Sequence, residues 1–163
     1  MLKQLLFQNI NLTIDDSLKL FKALNNSQSL LYLCDNCGEI ILDLIFIQYI
    51  HKYYPDVKIT LALRNEPIIN DICIDDKDYL PIEDYIEVIS NTTNTPGFIY
   101  DKASLYMQDI FNESDIVISK GQGNFEGLVG IKKDNLFYLF MAKCDIVSLM
   151  LGVDTMSIVC KKN

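Results

Sequence analysis

The chain has 163 residues, a net charge of −8 and a composition that is half hydrophobic. That length suits one domain with a real core, while charges such as Asp43 and Asp56 cut every apolar run short of the ~18 residues that a membrane-spanning helix needs. Acids spread along the whole chain exclude a basic nucleic-acid groove, because phosphate backbones are gripped by clustered Lys and Arg.

The first ten residues hold one lysine and a short apolar patch interrupted by Gln4, Gln8 and Asn9, with no small-residue cleavage site after it, so no signal peptide is expected. Residues 1–28 read as a short helical segment, with Ile14, Leu18, Phe21 and Leu24 at helical spacing behind Thr13, Asp15 and Asp16. Residues 29–163 read as one α/β domain. Leu30 to Cys34 is a buried strand that breaks at Asp35, Asn36, Cys37 and Gly38 and continues as a helix to about Tyr53, closed by Pro55. Val57 to Leu63 is a second strand ending in Arg64, and Asn65-Glu66-Pro67 then predicts a helix that carries Asn70 and Asp71 early.

Tyr85 to Ile89 is a third strand, followed by the long polar loop Ser90 to Gly97, which reads as functional, and by a predicted helix from Phe98 to Phe111. Asp115 to Ser119 is the fourth strand and leads through the glycine-rich turn at Lys120 into another helix. Leu136 to Met141, a short helix from Asp145 to Leu151, and a last strand from Met156 to Cys160 complete the chain. Strands separated by helices imply βαβ units: a three-layer α/β/α sandwich with a mostly parallel, Rossmann-like sheet.

Several groups at the strand ends carry chemistry. Asp35 and Asn36 offer hard oxygen ligands suited to Mg²⁺ or Mn²⁺, and equally the side chains of a helix N-cap. Asp71, after the second strand, would share their sheet edge or complement a helix dipole. In the turn Lys120-Gly121-Gln122-Gly123-Asn124, the glycines would let the backbone approach an anion and Lys120 would add charge, which reads as a phosphate site or as a tight turn. An acidic chain can bind a phosphorylated small molecule when a divalent cation bridges the like charges. Cys34 and Cys37 form a Cys-x-x-Cys at a strand-to-helix junction, where a thiol oxidoreductase would place one, but Cys34 follows an apolar run and reads as packing. Five cysteines at irregular spacing do not make a secreted disulfide framework and point to a reducing cytoplasm. His51 lies near a helix C-terminus, a surface position that complements the dipole.

Taken together, three ordered stretches resemble the damage-control phosphatases. Asp35-Asn36-Cys37-Gly38-Glu39-Ile40 followed by Asp43 looks like that family's Asp-Asn-x-Gly-Glu motif. Arg64 through Pro67-Ile68-Ile69-Asn70-Asp71 looks like its second motif, and Ile118 through Glu126 like its third; Ala142-Lys143-Cys144 and Leu151-Gly152-Val153 match its C-terminal region. The resemblance implies a metal-dependent phosphatase for small phosphorylated metabolites, using Mg, Mn, Co or Ni. Asp35, Asn36 and Asp71 would be the metal ligands and Lys120 would hold the phosphate, with Gly121, Gly123 and Asn124 beside it. Glu39 would position water, and Asp35 could also serve as a covalent nucleophile. Family members usually carry a larger helical N-terminal region, whereas here the similarity starts near Leu30, and Cys37 stands where the family often has alanine. A non-catalytic metal- or phosphometabolite-binding module is the alternative.

Overall fold

The computed structural model describes residues 11–163, and the reading of residues 1–10 lies outside them. The apolar runs become strands: β1 (Ile14–Asp15), β2 (Ser29–Leu33), β3 (Lys58–Leu63), β4 (Ile86–Ser90), β5 (Ile116–Lys120), β6 (Leu136–Met141) and β7 (Ile158–Lys162). They form one sheet in the order β1-β7-β6-β5-β2-β3-β4, parallel at every pairing except β6 with β7. The inner strands β2 and β5 read as unbroken apolar runs rather than alternations because both of their faces are covered.

Two cores flank the sheet. Helices α1 (Ser17–Leu24) and α2 (Ile40–Tyr53) bury Leu20, Leu24, Ile40, Leu44, Ile47 and Ile50 on one face. On the other face, α3 (Leu105–Glu113), α4 (Gln122–Leu128) and α5 (Asp145–Leu151) bury Met107, Phe111, Phe125, Leu128 and Val147. The result is the three-layer α/β/α sandwich expected. No helix among the described residues is long and apolar enough to cross a membrane.

Three expected elements differ. The helix predicted after β3 is absent: residues 65–73 are an extended turn, followed by a 3-10 helix at Ile74–Tyr79. Here the backbone pairs with two strand ends instead of with itself, through Arg64 N–H to Ile72 O, Ile72 N–H to Asp35 O and Cys37 N–H to Asn70 O. The helix predicted from Phe98 begins only at Leu105, where Ser104 caps it by accepting from Met107 N–H, after a 3-10 turn at Tyr100–Lys102. Ile14, read as helical, lies in the short strand β1 beside Val159.

The strand order positions the site. From β2 the chain winds outward through β3 and β4, and then returns to β5 on the opposite side of β2 and winds the other way. The carboxyl ends of β2 and β5 therefore flank a topological switch point, the crevice where open α/β sheets bind ligands.

Candidate active site

Register alone brings the motifs together. Leu33 is level with Ala62 on one side and Ser119 on the other, so two residues on, Asp35, Arg64 and Gly121 leave three adjacent strands at the same height. An isolated antiparallel bridge between Asn36 and Asp71 then draws the turn after β3 across the end of β2. Asp35, Asn36 and Asp71 thus meet at one edge, although the helix expected to carry Asp71 does not form.

Arg64, the end of the second strand and the first residue of the second motif, lies at the centre of this cluster. Its side chain is fully buried. Nε donates to Asp71 Oδ2 at 2.7 Å, and Nη2 donates to Asn124 Oδ1 at 2.9 Å and more weakly to Asp35 Oδ1 at 3.4 Å. Nη1 is buried with no partner among the described residues. One guanidinium therefore ties together all three sequence motifs. It does not neutralise them: burial, reinforced by the neighbouring Asp71 charge, outweighs Arg64 and pushes the Asp35 carboxyl from 3.8 to about 6.

The turn after β5 is shaped by Asp35. Gly121 has φ +79 and ψ 157, a conformation open essentially only to glycine, and a Cβ there would overlap the Asp35 carboxylate. Gly123 serves a different contact: it lies against Gly97, so that the polar loop after β4 packs onto α4. The Gly121 N–H is spent on the Leu139 carbonyl, and the first helical bond of α4 runs from Phe125 N–H to Gly121 O. Among the described residues, no hydrogen bond takes up the N–H groups of Gln122, Gly123 and Asn124 in the first turn of that helix.

The Asn124 side chain is occupied inside the protein. It is fully buried, accepts from Arg64 Nη2 and from Phe98 N–H at 2.7 Å, and donates to the carbonyls of Cys34 and Lys120 at 3.0 and 2.7 Å. With both donors and both acceptor positions used, the amide is a brace that locks the turn to β2 rather than a group free to touch a ligand.

Lys120 faces the crevice between two acids. Its ammonium donates to Asp43 Oδ1 at 2.6 Å and to Glu39 Oε2 at 3.0 Å. Burial works to lower its pKa, but the two carboxylates outweigh it and the net shift is upward, so Lys120 stays charged. Asp43, which sequence reasoning quoted only as part of a motif, also accepts from the buried Tyr32 hydroxyl at 2.8 Å. Asp35, Glu39, Lys120, Gly121, Gln122 and the exposed Lys143 form the polar end of a cavity of about 530 Å³, whose walls include Leu20, Phe21, Phe46, Leu139, Phe140 and Val159.

The remaining candidates lie elsewhere or are inert. Cys34 is buried and its thiol pushed well up by burial, Cys37 is exposed, and both are free thiols. That is the reverse of the activated thiolate a redox pair requires. His51 stacks on Tyr85 at the far end of α2. For a cation, the structure offers two carboxylates and an amide oxygen, a hard donor set that suits Mg²⁺ or Mn²⁺. Its under-compensated negative charge favours the same occupant. No group of three His, Cys, Asp or Glu side chains among the described residues is gathered to hold a metal ion, at this edge or elsewhere.

Comparison with known proteins points to one family. Residues 3–159 match the model of the damage-control phosphatase ARMT1-like domain, so the similarity begins well before Leu30, where the motifs alone start it. The chain is 36% identical over 152 residues to a damage-control phosphatase of Pyrococcus horikoshii, covering 93% of this chain and 53% of that protein. It is 29% identical over 137 residues to a damage-control phosphatase of Archaeoglobus fulgidus, covering 83% of this chain and 47% of the other. The crystal structure of a DUF89 family protein from Pyrococcus horikoshii superposes with a TM-score of 0.90 at 35% identity, over 99% of this chain and 55% of that one. The chain thus spans about half the length of the curated relatives it matches.

Proposed function

The chain belongs to the damage-control phosphatase ARMT1-like family, and from that premise we propose that it hydrolyses phosphate monoesters of small metabolites with the help of a divalent metal, Mg, Mn, Co or Ni. The observation that carries this reading is the meeting of Asp35 and Asp71 around a single buried guanidinium, with the Asp35 carboxyl pushed to about 6, directly beside the Lys120 turn. A site with excess negative charge next to a fixed ammonium suits a cation and a phosphate side by side.

Asp35, Asn36 and Asp71 would hold the ion, which when bound supplies Lewis-acid charge to the phosphoryl oxygens. The chain's own residues do the rest. Lys120 neutralises charge on the transferring group, and the unpaired N–H groups of Gln122, Gly123 and Asn124 add backbone donors around the position that Gly121 opens. Arg64 and the Asn124 amide keep the three strand ends in register, so that these charges are fixed before substrate arrives. Glu39, about half exposed at the crevice, is placed to orient water or take its proton. Five free cysteines fit a reducing compartment, and we place the protein in the cytoplasm.

Purified protein should release phosphate from p-nitrophenyl phosphate or small sugar phosphates only when Mg²⁺, Mn²⁺, Co²⁺ or Ni²⁺ is added, and Asp35→Ala should abolish the release. Equal inactivity of wild type and Asp35→Ala across that panel, with neither binding metal, would remove the catalytic claim. Metal and phosphate binding without turnover would instead identify a binding module. A Cys34→Ser/Cys37→Ser double variant should keep the full phosphatase rate.

A further inference from the structure

Behind Lys120 lies a line of polar side chains that reaches from the core to the cavity wall. Tyr32, on β2, is fully buried and donates its hydroxyl to Asp43 Oδ1 on α2. The same oxygen accepts Lys120 Nζ, and Lys120 then reaches Glu39, at the start of α2. The two carboxylates are held very differently. The Asp43 side chain is 7% exposed and tied from two directions; the Glu39 side chain is 46% exposed and has Lys120 as its one side-chain hydrogen-bond partner among the described residues.

One ammonium facing two carboxylates has two of its three N–H donors engaged and its charge already outweighed by theirs. An entering phosphoryl group would bring further negative charge to the same cation, and like charges at such close range in a partly desolvated site repel strongly. A phosphoryl group that takes more than the one remaining donor displaces a carboxylate, and the one with the weaker hold and the easier path to water is Glu39.

We propose that Lys120 exchanges partners when substrate binds: Asp43, braced by Tyr32, is the positioning residue that keeps the ammonium at the cavity wall, and Glu39 is the resident carboxylate that the phosphoryl group displaces. This rests on the phosphatase reading of the site and assigns work to two residues, Tyr32 and Asp43, that never meet the substrate. It also gives Glu39 a reason to lie on Lys120 in the free protein, since the displaced carboxylate is released beside the reacting group. In the free protein the Lys120–Glu39 contact acts as a built-in competitor that lowers affinity for phosphate.

The test measures binding of inorganic phosphate by titration calorimetry, beside steady-state turnover of p-nitrophenyl phosphate, for wild type, Glu39→Gln, Asp43→Asn, Asp43→Glu and Tyr32→Phe. Glu39→Gln should tighten phosphate by about threefold to tenfold, the worth of a partly exposed ion pair, while kcat falls. Asp43→Asn should weaken phosphate by about tenfold or more and raise KM, because the ammonium loses its fixed anchor, and Asp43→Glu should restore part of that loss. Tyr32→Phe should weaken phosphate by about threefold with a near-normal melting temperature, a result that a purely structural role would not give. Should Asp43→Asn fail to fold, Tyr32→Phe and Glu39→Gln decide the question. Phosphate binding weakened by Glu39→Gln as much as by Asp43→Asn, or left unchanged by Tyr32→Phe, would overturn the exchange while wild-type turnover left the phosphatase reading standing. A wild type with neither turnover nor phosphate binding would overturn both.

Discussion

Replacing Asp35 by Asn should stabilise the metal-free protein while destroying its function. The Asp35 side chain is only 18% exposed, its one salt-bridge partner among the described residues is 3.4 Å away, and Asp71 lies beside it on the same guanidinium. Burial and the Asp71 charge move its carboxyl from 3.8 to about 6. A carboxyl raised in this way binds its proton more tightly in the folded chain than in the unfolded one. Stability is therefore fullest below about 3.8, declines as pH rises through the window from 3.8 to about 6, and stays at the lower level above it. The interval corresponds to a penalty of roughly 3 kcal/mol near neutral pH. An amide removes the charge but keeps part of the desolvation cost, and the residual exposure screens some of the penalty, so the net gain should be about 1–2 kcal/mol. Urea denaturation near neutral pH in the presence of a chelator reads this gain directly, and near pH 4 it should vanish because the wild-type carboxyl is then itself protonated. A loss of stability at neutral pH would refute the reasoning, since it would mean that Arg64 fully compensates Asp35.

Three further substitutions probe other parts of the account. Arg64→Met leaves Asp71 and the Asn124 amide without their buried partner and should cost about 3–5 kcal/mol in urea denaturation; an unchanged midpoint would deny Arg64 its central place. Gly121→Ala forces a side chain into a glycine-only conformation and into the Asp35 carboxylate. It should cost roughly 1–3 kcal/mol from the backbone alone and weaken Mn²⁺ binding in calorimetry, whereas unaltered Mn²⁺ affinity would show that the turn does not position Asp35. Asp115 is held below the ordinary carboxylate value chiefly by the Gln28 N–H, with Ser29 adding further hydrogen bonds. The stability it contributes is present above its unfolded pKa and is lost as pH falls through its folded one, so Asp115→Asn should flatten the acid limb of a stability–pH curve below about pH 4.

The strands were legible in the sequence where an apolar run met turn-forming residues. Leu30 to Cys34, Val57 to Leu63, Asp115 to Ser119 and Leu136 to Met141 all lie within a residue or two of strands in the structure. The segment after β3 was misread because Asn65-Glu66-Pro67 is a sound local helix start, while the competing hydrogen bonds come from Asp35 and Cys37, some 30 positions away, which no local pattern displays. Along α2, Ile40, Leu44 and Ile47 are buried but Ile41 and Ile45 are exposed, and a helix apolar on all sides does not announce which face turns inward.

The candidate site was legible as types and places more than as roles. Strand-end positions and register bring Asp35, Asn36, Asp71 and Lys120 to one edge, as the alternation of strands and helices implies. Arg64 and Asp43 were passed over because a charged residue looks solvated until the fold buries it. The signals available are that each directly extends an apolar segment and that each falls within a motif of the resemblance. Asn124 reads as part of the phosphate turn, and only the three-dimensional count of its side-chain hydrogen bonds shows that its amide braces the turn, leaving the backbone N–H as what it can offer a ligand.

The central claim is that Asp35, Asn36 and Asp71 act together on one cation beside Lys120. A crystal structure of the protein soaked with Mn²⁺ and inorganic phosphate tests it most directly. The account predicts a single ion ligated by oxygen atoms of Asp35, Asn36 and Asp71, with the phosphate against Lys120 and Glu39 turned away from it. Clear density for the side chains with no ion between them, or an ion bound elsewhere on the chain, would contradict it.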